Sequence, residues 1–208
     1  MRVYVARHGE TDWNVAGRYQ GRRESTLTPL GRRQAAALAT AMTAAGVQRV
    51  VSSPLARCVE SARPTAERLR VPLERDERLI EIAHGTWEGR LKDEIAASDA
   101  ERWRTWREEP GRVAFEGGET LPDVRKRWSA FARDLRPSVP TLVVTHDAVL
   151  RVALLEALGQ PLDVFWEMSV ENGGYAEFDV DGGTWTPVTV NATAHLAGLR
   201  VSTTGQAL

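Results

Sequence analysis

Hydrophobic positions along this chain fall into two recurring patterns, and their order outlines an architecture. Arg2-Val3-Tyr4-Val5-Ala6 alternates with period two and predicts a β-strand. Val47 to Ser52 predicts a second. The continuous run Thr141-Leu142-Val143-Val144-Thr145 has the composition of a parallel strand buried on both faces. Between these runs lie helical stretches with their punctuation. Thr28-Pro29 predicts an N-cap followed by proline at the first helical position, opening a helix through an alanine-rich stretch to Ala45 that stops at Gly46. Ser53-Pro54 predicts another such start, with a helix toward Arg70 that Pro64 kinks or restarts. Further helices are predicted from about Leu121 to Leu135 and from Ala148 to Leu158, the latter capped by Asp147 and closed by Gly159 and Pro161. Tyr175 to Val180 and Thr184 to Val190, joined through Asp181-Gly182-Gly183, predict a late hairpin. Pro187 cannot donate to a ladder, which makes the second run an edge strand.

The segments without a clear period divide differently. Thr11 to Thr26 is polar and predicts a loop, whereas Leu69 to Ile82 predicts a short extended segment that delivers Glu81 into the turn Ala83-His84-Gly85. Leu91 to Gly118 carries Trp103, Trp106, many charges and the breakers Pro110-Gly111 and Gly117-Gly118, and reads as a helical insert of about residues 91–118. The tail from Ser202 is expected to fray. With no repeat or low-complexity linker, residues 1–208 read as one domain. Strand, loop and helix in repetition predict an α/β fold: a three-layer sandwich, its central sheet mostly parallel, with helices on both faces and the insert over the active-site edge. Parallel strands joined by helices place their carboxyl ends on one side. His8, Arg57 and His146, each at or just after a strand end, therefore converge there.

Composition narrows the partners. A net charge of −1 over 208 residues gives no global basic field for nucleic acid or an anionic membrane. The lone Cys58 excludes an internal disulfide framework and a cysteine-rich zinc site, fits a reducing compartment, and reads as a small buried hydrophobe without chemistry. The first residues lack a charged region followed by an apolar one, and no apolar stretch nears the roughly 20 residues that span a bilayer. The expectation is a cytoplasmic protein with no nucleic-acid or membrane partner; a homodimer is left open.

Candidate chemistry changes the picture most. Taken singly, each residue has an ordinary reading: Arg7-His8-Gly9 as a surface turn, Arg57 as an exposed helix residue, His146 as a satisfied core histidine, Glu81 as a solvated carboxylate. Together, Arg7-His8-Gly9-Glu10-Thr11, Asn14, Arg18-Tyr19-Gln20-Gly21, Leu27 to Ala35, Ser52-Ser53-Pro54-Leu55-Ala56-Arg57, Glu81 with Gly85-Thr86-Trp87-Glu88-Gly89, Gly118-Glu119-Thr120 and Val144-Thr145-His146 form an ordered set. The set resembles the histidine phosphatase superfamily, in its phosphoglycerate-mutase-like group, and the likeness extends to Asn191 to Leu196. The resemblance implies two-step phosphoryl transfer with His8 as nucleophile, Glu81 as proton donor, and Arg7, Asn14, Arg57 and His146 as the phosphate clamp. It implies a small phosphorylated metabolite as substrate, with no cofactor and no metal, since arginines supply the positive charge. Gln20, Gly21, Arg22, His84, Trp87 and Trp103 are the specificity candidates. Arg22, with Arg23, is set to meet a second anionic group; Trp103 and Trp106 share a helical face that reads first as core packing.

Three positions depart from the family pattern: Asp147 stands where glycine is common, Ala83-His84 where an acidic or aromatic pair is frequent, and Glu24 where aspartate is usual. An Asp147 charge near a phosphate is unfavourable unless it points away as a helix cap. The phosphatase branch is the reading here. A cofactor-dependent phosphoglycerate mutase and a non-catalytic phospho-ligand-binding module are the alternatives.

Overall fold

The computed structural model describes residues 1–200, and the tail from Ser202 that was expected to fray lies outside them. Six strands form the sheet: β1 (Arg2–Arg7), β2 (Arg49–Ser52), β3 (Leu73–Arg75), β4 (Thr141–Thr145), β5 (Tyr175–Asp181) and β6 (Thr184–Ala192), in the spatial order β3-β2-β4-β1-β5-β6. β1 pairs in parallel with β4, and β2 in parallel with both β4 and β3. β5 runs antiparallel to β1 and β6 antiparallel to β5, so β5 is the one reversed strand of the six. The mostly parallel sheet is thus as the sequence predicts, with Pro187 on the edge strand β6.

Helices cover both faces for a reason visible in the strand alternation. Tyr4 and Ala6 of β1 pack in one core with Leu38 and Met42 of α2 (Pro29–Ala44) and Cys58, Ala62 and Ala66 of α3 (Ala56–Leu69). Val3 and Val5 face the other way, into a core shared with α6 (Leu121–Asp134) and α7 (Asp147–Ala157). Each fully buried aliphatic side chain contributes about 1.5–3 kcal/mol relative to exposure, so a strand apolar on both sides requires two covering layers. The region of residues 91–118 holds α4 (Lys92–Ser98), α5 (Ala100–Glu108) and a 3₁₀ turn at Pro110–Arg112. Trp106 is fully buried and Trp103 packs part-buried against the same core, as the shared helical face predicts.

Four local expectations are corrected. The segment read as a loop contains α1 (Asp12–Ala16), opened by a reciprocal capping box between Thr11 and Asn14. It has five residues, too few for a hydrophobic period to show. α3 continues through Pro64 rather than restarting there. Ser53 does not cap α3, whose N-cap is Leu55 with no side-chain bond. Asp147 does not cap α7 either: His146 is the N-cap, and the Asp147 carboxylate is paired with arginines.

The strand ends are level. Arg7 lies opposite Thr145 and Ser52 opposite Val144. His8 N–H then donates to Thr145 O at 3.0 Å and Ser53 N–H to Val144 O at 2.9 Å, so the chain leaves three neighbouring strands at one edge. Gly9 is required just beyond: a Cβ there would come within 2.4 Å of the Gly31 carbonyl oxygen, where α2 begins.

Candidate active site

His8 sits at the end of β1, 2 % exposed. Its Nδ1 is 2.7 Å from the carbonyl oxygen of Gly9. A carbonyl only accepts, so Nδ1 carries the proton and Nε2 keeps a lone pair. Burial, reinforced by the charges of Arg57 and Arg7, holds this imidazole well below the usual histidine range despite the Gly9 bond. It is neutral at pH 7, with a defined tautomer. The ring of His146 stands 5.3 Å away, centroid to centroid, at 67°. His146 is fully buried and likewise held well below its ordinary range, first by burial and then by Arg57.

The two arginines are seated by backbone carbonyls. Arg57 donates from Nη1 to Arg23 O at 2.9 Å and from Nη2 to Gly21 O at 2.7 Å, while its buried Nε–H has no partner among the described residues. The loop after α1 therefore aims this guanidinium. Gly21 makes the loop possible, with φ of +51° and Glu88 Oε1 where a Cβ would stand. Arg7 donates to Val170 O at 2.9 Å and pairs with Asp147 at 2.8 Å. Asn14 has a carbonyl oxygen that accepts from Thr11 N at 3.1 Å, Thr11 Oγ1 at 3.0 Å and Asn172 Nδ2 at 3.2 Å. Its amide orientation is thereby fixed, and the buried Nδ2 donor is left without a partner among the described residues. Unmatched buried donors are costly unless an acceptor arrives, and an oxyanion would satisfy them.

Glu81 completes the polar set. It is 2 % exposed and takes a 2.9 Å hydrogen bond from Ile82 N–H. Burial, then the Asp147 charge, push its carboxyl up to about 7, against the pull of the Ile82 bond, Arg57 and Arg127. A carboxylic acid with that affinity can give a proton near neutral pH and take one back. Among the described residues, no group of three or more His, Cys, Asp or Glu is arranged to hold a metal ion.

The specificity candidates are distributed in two places. Gln20 is buried within the loop, its Oε1 accepting from Ser25 Oγ at 2.5 Å and lying 3.0 Å from Thr11 Oγ1. Arg22 is half-exposed and pairs with Glu119 at 2.8 Å. Gly21, Arg22 and Arg23 thus form the stretch that Arg57 grips from both sides. His84, Trp87 and Trp103 lie instead in an aromatic cluster around Tyr19, with centroid distances to its ring of 4.9, 5.3 and 6.2 Å.

Three contributors escaped the sequence reading. Ser53, expected as a cap, has its hydroxyl 2.7 Å from His146 Nε2. Asn172 ties Asn14 to the strand end, and only its Gly173-Gly174 neighbourhood hints at a turn there. Asp147 pairs with Arg7 rather than pointing away from the site.

A family model described as the histidine phosphatase superfamily, branch 1, matches residues 3–193. Phosphoserine phosphatase 1 of Hydrogenobacter thermophilus is 33 % identical over 199 residues, covering 94 % of this chain and 94 % of its own. The adenosylcobalamin/alpha-ribazole phosphatase of Salmonella typhimurium is 32 % identical over 197 residues, covering 93 % of this chain and 98 % of its own. Among solved structures, YhfR of Bacillus stearothermophilus superposes with a TM-score of 0.89 at 32 % identity, over 94 % of this chain and 98 % of its own.

Proposed function

The chain belongs to the histidine phosphatase superfamily, branch 1, and is a phosphatase of small phosphorylated metabolites; we propose that it works through a phosphohistidine formed on Nε2 of His8. The observation that carries this reading is the state of His8. It is a neutral imidazole whose Nδ1–H is held by Gly9 O, and it is flanked by two arginines whose charges also act on Glu81, a carboxylic acid with a raised proton affinity.

In the first step Nε2 attacks phosphorus in line, the N–P bond forms and the ester P–O bond breaks. Glu81 gives its proton to the departing alkoxide. In the second step the Glu81 carboxylate takes a proton from water, the oxygen attacks phosphorus, and the N–P bond breaks to return the lone pair to Nε2. Arg7, Arg57, Asn14 and His146 donate to the phosphoryl oxygens throughout. Fixed donors suit the charge spread over the equatorial oxygens because they need no reorganisation during reaction. The Ser53 hydroxyl, 2.7 Å from Nε2 of His146, holds that ring in place.

Gln20, Gly21 and Arg22 act by shaping the loop that grips Arg57, and Arg22, paired with Glu119, is the candidate to meet a second anionic group. His84, Trp87 and Trp103 act through the packing of the Tyr19 wall. The two clamp arginines make the chemistry metal-independent, and the single reduced thiol fits a cytoplasmic setting. No helix among the described residues is long and apolar enough to cross a membrane. A homodimer would leave the chemistry unchanged, since every group named comes from one copy of the chain.

The test is phosphate release from a panel of sugar phosphates, phosphoglycerates, phosphorylated amino acids and nucleotides, with chelator present and His8→Ala alongside. Release that survives chelation and is lost in the variant is the expected result. Strong inhibition by EDTA, or a variant near wild-type rate, contradicts it.

A further inference from the structure

One buried charge stands inside the site without a part in either chemical step. Asp147 is 2 % exposed and begins α7 directly after His146. Its Oδ2 is 2.8 Å from Nη1 of Arg7, and its Oδ1 is bound by Nε of Arg151 one helical turn on. Arg151 in turn donates to the carbonyls of Phe165 and Met168, and Arg7 to that of Val170. The carboxylate is therefore clasped between two guanidiniums, both tied to the segment of residues 165–170. A residue serving only to start α7 would sit at N-cap and hydrogen-bond backbone N–H groups. Here the side chain reaches across to β1 instead.

Glu81 lies in the field of this cluster. The charged and titratable groups around it are Arg7 from β1, Arg57 and Cys58 from α3, Arg127 from α6 and Asp147 from α7, with Glu119 bound to Arg127. His8 and His146 beside them are neutral. Three cations act on Glu81, and Asp147 is the anion that opposes them.

We propose that Asp147 is a positioning residue for phosphoryl transfer: braced by Arg151, its carboxylate fixes the Arg7 guanidinium in the clamp and sets a fixed charge within the cluster around Glu81. The proposal rests on the assignment of His8 as nucleophile and Glu81 as acid. Its consequence is a wider alkaline range for esters with poor leaving groups, which need the proton most. The Asp147 charge adds to burial, which is the larger cause of the raised proton affinity of Glu81.

The test compares pH profiles of kcat/KM for an alkyl phosphate and for p-nitrophenyl phosphate, whose leaving group needs little protonation. In Asp147→Asn the alkaline limb for the alkyl ester is expected to move down by about one pH unit, the size of a close-charge effect, with a smaller change for the nitrophenyl ester. Asp147→Glu is expected to restore most of the limb. Asp147→Asn leaves two buried guanidiniums without their anion, so Asp147→Asn/Arg151→Gln is made as well, removing one charge of each sign. The double variant is expected to fold, by circular dichroism and thermal melting, and to show the same displaced limb. A folded double variant with the wild-type profile overturns the proposal, and so does a double variant that fails to fold, which would mark Asp147 as purely structural. His8→Ala with near-normal turnover, or Glu81→Gln with no selective loss on the alkyl ester, would instead overturn the underlying assignment.

Discussion

Two regions of this molecule each bury a histidine, and they use burial in opposite ways. At the strand ends His8 is held by one backbone carbonyl and flanked by Arg7 and Arg57, which leaves Nε2 as a directed lone pair. In the aromatic cluster around Tyr19, His84 is fully buried against Tyr19, Phe115 and Trp106, at 4.9, 4.7 and 6.0 Å, and neither ring nitrogen has a partner among the described residues. Desolvation lowers the proton affinity of both, to about 3 for His84. A depressed affinity is thus shared by the proposed nucleophile and by a packed aromatic-cluster residue. What separates them is the Gly9 carbonyl that fixes the His8 tautomer and the second guanidinium, Arg7, since Arg57 acts on both rings; on the proposed reading these ready one ring for a phosphoryl group and leave the other as a shape.

The sharpest way to break this comparison is to exchange the two side chains' fates. His8→Ala is expected to lower kcat/KM at least about 10⁴-fold, as removal of a nucleophile does, with the melting temperature little changed. Glu81→Gln should cost about 10²–10⁴-fold on alkyl phosphates and less on p-nitrophenyl phosphate, the range for a general acid. The same substitution has a stability signature. Because the folded proton affinity of Glu81 is raised to about 7 from 4.5, the unfolded chain ionises first, and stability is lost as pH rises from 4.5 through 7. Glu81→Gln is therefore expected to stabilise the fold at pH 8 by roughly 3 kcal/mol and to do little at pH 4, measured by denaturant melts. Arg57→Lys removes a fork that bonds two carbonyls at once, and a loss near 10²-fold is expected from the displaced clamp.

His84→Phe gives the smallest effect on turnover, within about threefold, and acts on acid stability instead. The wild-type ring stays neutral in the fold while the unfolded chain takes up protons, so stability falls as pH drops below 6.5 toward 3. The variant should escape roughly 2 kcal/mol of that loss at pH 5. A His84→Phe enzyme with turnover reduced as far as His8→Ala would erase the distinction between the two regions.

The legibility of this fold in its sequence followed the reach of each signal. Thr141–Thr145 and Pro29–Ala44 were readable because a buried strand and a capped, proline-started helix are written in consecutive residues. Convergence of His8, Arg57 and His146 followed from parallel strands ending at one edge. α1 was invisible because five residues carry no period, and its Thr11–Asn14 box looks like any polar turn. Ser53 and Asp147 were misread for a common reason. Both occupy positions where a local backbone partner is the default, yet His146 lies 93 residues from Ser53 and Arg7 lies far from Asp147, and those distant partners won. Asn172 had no signal of its own, since its partners Asn14 and His8 come from the other end of the chain.

The central claim, a covalent phosphoryl group on Nε2 of His8, is tested most directly by trapping. Wild-type enzyme is mixed with a ³²P-labelled phosphate ester, quenched in alkali within milliseconds and digested, and the labelled peptide is sequenced by mass spectrometry. The account predicts an acid-labile, alkali-stable label on the peptide containing His8, at up to one per chain, and none in His8→Ala. Label on another residue, or steady hydrolysis with no trapped species and no loss in His8→Ala, would contradict it.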